Sequence, residues 1–141
     1  MTNQIIREAN GARIPAIGFG TWPIKGEDCA RAVTHALKSG YRHVDTAAMY
    51  ANEEAVGEGL RASGVKRDDV FVTTKVWRDD IDDGALQRSA EASLKRLGLD
   101  DVNLVLIHWP SDRLPVAVTV KTLNAVKRAG MARHIGVSNF T

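Results

Sequence analysis

The sequence predicts an α/β protein in which helices alternate with parallel strands in a single domain, residues 1–141. Four helical patterns alternate with short strand-like runs, and polar residues lie at or just after the ends of the later runs: Asp45, Lys75, His108 and Ser138. The intervals between these residues are 30, 33 and 30 positions, about the length of one βαβ unit. Because the carboxyl ends of parallel strands share one face, and that face holds the active site in such folds, we expect the four side chains to converge.

The composition is ordinary for a soluble globular protein, with 44% hydrophobic and 26% charged residues and a net charge of +2. Basic and acidic residues are interleaved, which argues against a nucleic-acid partner. The start of the chain is polar, and no apolar stretch approaches the ~18 residues of a membrane helix. Cys29 is the one cysteine, which rules out an internal disulfide and suits a reducing compartment. We therefore expect a cytoplasmic protein.

The first element is expected to be a β-hairpin over residues 5–15. The Asn10-Gly11 pair lies between Ile5-Ile6 and Ile14, and Asn-Gly tolerates the positive φ angles of a type I′ turn. A first short parallel strand is expected at about 16–20.

Apolar residues at helical spacing predict four amphipathic helices. Their buried faces are expected to be Cys29, Val33, Ala36 and Leu37; Ala55, Val56, Gly59 and Leu60; Leu86, Ala90, Ser93, Leu94 and Leu97; and Val116, Val120, Leu123 and Val126. Asn52 is a candidate N-cap of the second helix, Asp82 and Asp83 lead into the third, and Pro115 suits the first turn of the fourth.

Glycines are expected to end the helices, because glycine readily adopts the left-handed conformation found there. They are Gly40, Gly64, Gly98 and Gly130, and strands are expected at about 42–45, 70–75, 103–107 and 134–137. Five parallel strands are too few for a (β/α)₈ barrel, which takes eight strands and about 250 residues. The sequence therefore predicts half of such a fold, with unpaired strand edges.

The polar residues at the strand ends suggest proton donation to a carbonyl oxygen. Taken singly, each has an ordinary structural explanation, but together with Tyr50, five residues after Asp45, they make a shared site more plausible. A tyrosine hydroxyl titrates near ~10, and a nearby ammonium favours its ionised form. Lys75 could supply that cation, Asp45 could orient Lys75, and His108 could bind the substrate oxygen. The four histidines show no metal-ligand spacing.

Two further patterns follow the predicted strands. Gly18-Phe19-Gly20 is a weak match to a dinucleotide-binding loop, because Pro23 stands where the third glycine would fall. An ordinary doubly wound nucleotide-binding domain is therefore disfavoured. Trp22, Trp77 and Trp109 are either packing residues or one apolar wall of a substrate pocket.

These residues closely resemble the aldo-keto reductase family, from the hairpin to the last residue. After Pro110 the chain is similar to bacterial members such as the diketogluconate reductases. The matching motifs are Gly40-Tyr41-Arg42-His43-Val44-Asp45-Thr46-Ala47 followed by Tyr50, Glu53 and Gly57; Thr73-Thr74-Lys75-Val76-Trp77; His108-Trp109-Pro110; and Gly136-Val137-Ser138-Asn139-Phe140.

The resemblance implies a partial (β/α)₈ TIM barrel with a hairpin plug, five parallel strands and four helices. It implies an oxidoreductase that uses NADPH to reduce small-molecule aldehydes or ketones. By motif position, Tyr50 is the general acid, Lys75 and Asp45 tune it, and His108 orients the carbonyl.

The same resemblance assigns the binding residues. Thr21 and Asp45 lie near the cofactor, Ser138 and Asn139 bind its carboxamide, and Trp22, Trp77 and Trp109 line the substrate pocket. The family's adenosine-phosphate contacts come from the second half of the barrel, which is not part of this sequence. A non-catalytic half-barrel that acts through self-association or fragment complementation at its open edges therefore remains the alternative.

Overall fold

A computed structural model describes residues 4–82 and 84–141 of the chain. The strands are β1 Ile6–Ala9, β2 Ala12–Pro15, β3 Phe19–Gly20, β4 His43–Asp45, β5 Phe71–Val76, β6 Val102–Ile107 and β7 Ala132–Val137. The helices are α1 Gly26–Lys38, α2 Glu53–Ala62, α3 Ala85–Leu97 and α4 Val116–Arg128, with short 3₁₀ turns at Ala48–Tyr50 and Arg67–Asp69.

The sheet is parallel, and its five strands lie in chain order from β3 to β7. β1 and β2 form a separate antiparallel hairpin across Asn10-Gly11, where both residues have positive φ. The α/β class, the hairpin, the five strands and the four helices predicted from the sequence are all confirmed.

The core lies between the sheet and the helices, which pack against one another in sequence order. All six residues of β5 are buried, including Lys75, so this central strand carries a charged side chain in a largely dry environment. The predicted buried faces of α1 and α3 are confirmed, with Cys29 fully buried in the first.

Close helix packing explains two glycines in α2. A Cβ at Gly57 would lie 2.2 Å from the carbonyl oxygen of Leu97 in α3. A Cβ at Gly59 would lie 2.7 Å from the Val33 side chain in α1. The absence of side chains at these positions therefore lets α2 approach both neighbouring helices.

The prediction for α4 was partly wrong. Val116 and Val120 are 59% and 44% exposed, whereas Thr119, Leu123 and Val126 form the buried face. Val116 and Val120 were assigned to the buried face because they are apolar. The buried i, i+4, i+7 series instead begins at Thr119 and continues with Leu123 and Val126.

The predicted helix ends gave mixed outcomes. Gly40, Gly64, Gly98 and Gly130 all follow their helices with positive φ, as expected. Asn52 occupies the N-cap position of α2, but its side chain makes no capping bond. Gly84 precedes α3, and Asp83 lies outside the described residues. Among the described helices, none is both long and apolar enough to cross a bilayer.

Candidate active site

The centre of the site is the Lys75 ammonium, at the carboxyl end of β5. Its Nζ donates to Asp45 Oδ1 at 2.6 Å, to the Thr46 carbonyl at 3.1 Å and to the Tyr50 hydroxyl at 3.3 Å. The Lys75 side chain is 8% exposed and that of Asp45 34% exposed. Asp45 therefore balances the lysine charge from the neighbouring strand, while Tyr50 shares the same cation.

Parallel pairing explains why these groups meet. Asp45 pairs with Thr73 across β4 and β5, and Lys75 lies two residues further along, on the same face of β5 as Thr73. The chain after Asp45 then turns through Ala48–Tyr50 and carries the phenol back over the end of β5.

His108 lies beside this cluster at the end of β6. Its ring is edge-on to the Tyr50 ring, with centroids 5.7 Å apart, and edge-on to the Trp77 ring, with centroids 5.5 Å apart. Its backbone N–H donates to Val76 O at 2.9 Å. Four of the predicted polar residues, Asp45, Tyr50, Lys75 and His108, are thus brought together.

Burial and charge set the protonation of His108. Burial lowers the pKa of the imidazole, and the Lys75 ammonium lowers it further, against a smaller opposing effect of Asp45. The ring is therefore neutral at pH 7. Its Nδ1 atom is buried, and no hydrogen-bond partner for it occurs among residues 4–82 and 84–141.

Thr21 and Asn52 hold the loops around Asp45. The Thr21 hydroxyl and backbone N–H each donate to the Asp45 carbonyl oxygen at 3.1 Å. The Asn52 amide donates to Thr21 O and Ile24 O and accepts from the Thr46 hydroxyl. Because its polar atoms are used in these bonds, Asn52 joins the loops after β3 and β4 and does not cap α2.

Ser138 and Asn139 follow β7 on the same edge of the sheet. The Asn139 amide donates to the His108 carbonyl oxygen at 2.8 Å and to the Ser138 hydroxyl at 3.2 Å. Asn139 has a φ of 61°, a conformation that asparagine tolerates better than most residues. The pair is therefore tied to the end of β6 beside His108.

The three tryptophans differ in their surroundings. Trp77 contacts His108 edge-on and is half-buried. Trp22 and Trp109 follow β3 and β6 and are 67% and 44% exposed. Trp77 therefore contacts the polar cluster directly, through the His108 ring.

The sequence interpretation gave no role to two residues near Tyr50, Lys25 and Glu53, although Glu53 belongs to one of the matching motifs. Lys25 donates to the Tyr50 carbonyl oxygen, and Glu53 is buried beneath the Tyr50 turn. A signal for Glu53 existed, because it shares the helical spacing of Val56, Gly57 and Leu60 on the buried face of α2. A carboxylate on such a face requires partners.

The fold and the cluster together define a class of α/β protein: a parallel sheet with a tyrosine, a lysine, an aspartate and a histidine grouped at the carboxyl ends of its strands. The family model described as "Aldo/keto reductase family" matches residues 16–141. The chain belongs to the aldo/keto reductase family, whose members are oxidoreductases that reduce carbonyl groups.

Similar proteins agree with this assignment. Methylglyoxal reductase DkgA from Yersinia pestis is 44% identical over 142 residues, covering 99% of this chain and 50% of the relative. A crystal structure assigned provisionally as a 2,5-diketo-D-gluconic acid reductase B is 48% identical, with a TM-score of 0.94 over 98% of this chain and 49% of that one. The Bombyx mori aldo-keto reductase in complex with NADP is 36% identical, with a TM-score of 0.90 over 99% of this chain and 52% of that one. The chain thus spans about half the length of these relatives.

Proposed function

We propose that the chain is the N-terminal half of a reductase barrel, forming a single domain over residues 1–141, and reduces small aldehydes or ketones to alcohols with NADPH. The observation that carries this proposal is the 3.3 Å separation between the Tyr50 hydroxyl and Lys75 Nζ, with Asp45 bound to the same nitrogen. A phenol beside a fixed cation is suited to give its proton to a carbonyl oxygen as that oxygen gains charge.

In this proposal Tyr50 is the general acid. Lys75 stabilises the phenolate that remains after the proton leaves, because the ammonium lies within hydrogen-bond distance of the phenol oxygen. Asp45 accepts a hydrogen bond from Lys75 Nζ and so holds that nitrogen within reach of the Tyr50 hydroxyl. The Lys75 ammonium also lies 5.0 Å from the Tyr50 ring centroid, which adds attraction between the cation and the ring.

His108 orients the substrate oxygen by donating a hydrogen bond. Its neutral ring has one N–H, and a proton on Nδ1 would leave a buried N–H without a partner in the described residues. The favoured tautomer therefore carries the proton on Nε2, which leaves Nε2 as the hydrogen-bond donor. Tyr50 and His108 can then donate to one carbonyl oxygen from two sides.

The polar residues after β7 fit the carboxamide of a nicotinamide cofactor. The Asn139 amide nitrogen donates to the Ser138 oxygen; a hydroxyl that accepts in this way can still donate its own hydrogen, and the Asn139 side-chain oxygen can accept. A carboxamide has an oxygen that accepts and an amino group that donates, so a hydroxyl donor and an amide acceptor suit it. In this proposal Asp45 lies near the cofactor, with the buried Thr21 holding the Asp45 carbonyl from behind, and NADPH when bound would supply the hydride.

The substrate pocket in this proposal is lined by Trp22, Trp77 and Trp109. The edge-on contact of Trp77 with His108 supports an apolar wall beside the proton-donating groups. Two of the similar proteins are named for methylglyoxal and diketogluconic acid, which are small carbonyl compounds. A small carbonyl compound is therefore the substrate class that we propose.

The test is carbonyl-dependent oxidation of NADPH by the chain, with methylglyoxal as the substrate. Tyr50→Phe should lower the rate by about 10²–10⁴-fold, the range for loss of a general acid. Tyr41→Phe is a matched control, because the chain has two tyrosines and Tyr41 packs against Phe19 away from Lys75. Equal rates for Tyr50→Phe and the unmodified chain would overturn the role of Tyr50, and no turnover by the unmodified chain would overturn the proposed activity.

A second candidate function is association through the open sheet edges. In the described residues, β3 and β7 each pair with one parallel neighbour, and Val137 at the end of β7 is 45% exposed. Unpaired strands of this kind recruit other strands. Light scattering after size exclusion would reveal dimers or larger species in this case, whereas a monomer at all concentrations would contradict it.

A further inference from the structure

Glu53 is a buried carboxylate that the proposed reaction does not use. It is 1% exposed and accepts hydrogen bonds from three side chains on two other elements. Its Oε2 accepts from Thr74 Oγ1 at 2.7 Å; its Oε1 accepts from Ser93 Oγ at 3.1 Å and from Arg96 Nε and Nη2 at 2.9 and 2.7 Å. A carboxylate bound in this way joins α2, β5 and α3.

These contacts involve residues close in sequence to Tyr50 and Lys75, the proposed reacting pair. Glu53 follows Tyr50 by three residues, and Thr74 precedes Lys75 on β5. Adjacent strand residues point to opposite faces, so Thr74 reaches Glu53 on the helix side while Lys75 reaches Tyr50 on the other side. The segment from Tyr50 to Glu53 is therefore bonded to β5 twice, once on each face of the sheet.

The backbone conformation between Tyr50 and Glu53 supports a role for Glu53 in holding Tyr50 in place. Ala51 has a φ of 53°, which is unfavourable for a residue with a Cβ atom. Such a conformation persists when the surroundings determine it. Lys25 holds the carbonyl of Tyr50 before Ala51, and the Asn52 amide bonds hold the chain after it.

We propose that Glu53 is a positioning residue that sets the distance between the Tyr50 phenol and the Lys75 ammonium through its hydrogen bond to Thr74. A buried ion pair contributes little net stability compared with well-packed apolar residues, so geometric specification is a reason for its presence here. The proposal rests on the proposed function only in taking Tyr50 and Lys75 as the reacting pair.

The test is a spectroscopic double-mutant cycle on the whole chain. The ¹³Cζ resonances of the two tyrosines are assigned with Tyr41→Phe. The change in the Tyr50 chemical shift caused by Lys75→Met, called the displacement below, is then measured. The same displacement is then measured in four backgrounds: Thr74→Val, which removes the hydroxyl; Thr74→Ser, which retains it; Glu53→Gln; and Asp101→Asn. Asp101 is a matched control, because its carboxylate also forms an ion pair, in this case with Arg133 Nε at 3.3 Å. That pair is separate from Tyr50.

We expect the displacement to fall at least about twofold in Thr74→Val and in Glu53→Gln, because loss of the contact uncouples the pair. It should remain full in Thr74→Ser and Asp101→Asn. A full displacement in Thr74→Val would overturn the positioning role. Loss of the folded amide spectrum in both Thr74→Val and Glu53→Gln would also overturn it, since the contact would then act through overall stability.

The outcomes separate this inference from the proposed function. If Lys75→Met leaves the Tyr50 resonance unmoved in the unmodified background, both proposals fail. If the cycle gives the expected pattern but the chain oxidises no NADPH, the proposed activity fails and the positioning of Tyr50 stands.

Discussion

The ammonium nitrogen of Lys75 lies 2.6 Å from a carboxylate oxygen of Asp45, and the lysine side chain is 8% exposed. An ammonium in so dry a position requires a partner, because an unpaired buried charge is costly. The pair that orients the proposed acid is therefore also part of what holds β4 and β5 in register.

Asp45→Asn should lower the free energy of unfolding by about 2 kcal/mol, less than the ~3–5 kcal/mol for a fully buried pair, because Asp45 is partly wet. Urea denaturation checks this value. The double variant with Lys75→Met should recover part of the loss, since no unpaired ammonium remains. Glu91→Gln is the control, because its pair with Lys95 is exposed and should change stability by at most about 0.5 kcal/mol. Equal losses for Asp45→Asn and Glu91→Gln would contradict the structural role of the buried pair.

Acid should destabilise the chain partly through His43. Burial lowers the pKa of this imidazole more than its contact with the Pro15 carbonyl raises it, so the unfolded chain binds the proton more readily. The free energy of unfolding should therefore be unaffected by this group well above pH 6.5 and fall as pH drops below 6.5. Urea denaturation between pH 7 and 5 should show a smaller loss for His43→Gln than for the exposed control His35→Gln. The same loss in both variants would contradict the prediction.

Gly57→Ala should be strongly destabilising, because the added Cβ would meet the Leu97 carbonyl oxygen at 2.2 Å. Overpacking of this kind costs about 1–3 kcal/mol, and the upper end is expected here because the obstructing atom is backbone. Thermal and urea unfolding measure the effect. Glu58→Ala, on the exposed side of the same helix, should stay within about 0.5 kcal/mol of the unmodified chain. If Gly57→Ala were as mild, the close contact between α2 and α3 would be wrong.

Two residues of α4 provide a matched test of which face is buried. Leu123→Ala should cost about 2–5 kcal/mol, because Leu123 is 3% exposed. Val120→Ala should change the free energy of unfolding by no more than about 0.5 kcal/mol, because Val120 is 44% exposed. Chemical denaturation of the two variants measures both losses, and a larger loss for Val120→Ala than for Leu123→Ala would show that Val120 is buried and contradict the observed face.

The sequence predicted the architecture well because its local signals agreed. The glycines that follow the helices, the Asn10-Gly11 turn and the 30-residue spacing all indicated the same alternating fold, and the structure confirms it. Spacing also indicated that Asp45, Lys75 and His108 would meet, since parallel strands bring their carboxyl ends to one edge. Their chemical roles remain predictions.

What the sequence did not predict depends on tertiary partners. Asn52 looked like a helix cap from its position before α2. Its actual partners are the carbonyls of Thr21 and Ile24, about 30 positions away, which local sequence does not reveal. Glu53 is buried because Thr74 and Arg96 arrive from other elements. Periodicity describes one element at a time and therefore misses such bridges.

The most direct test of the central claim is a kinetic double-mutant cycle between Tyr50 and Lys75. The rate of methylglyoxal-dependent NADPH oxidation is measured for Tyr50→Phe, Lys75→Met and the double variant. If the two groups act as one proton-donating unit, the double variant should be no slower than Tyr50→Phe alone, because residues that act together are strongly non-additive. Rate losses that multiply in the double variant would show that the two residues act independently and would contradict the account.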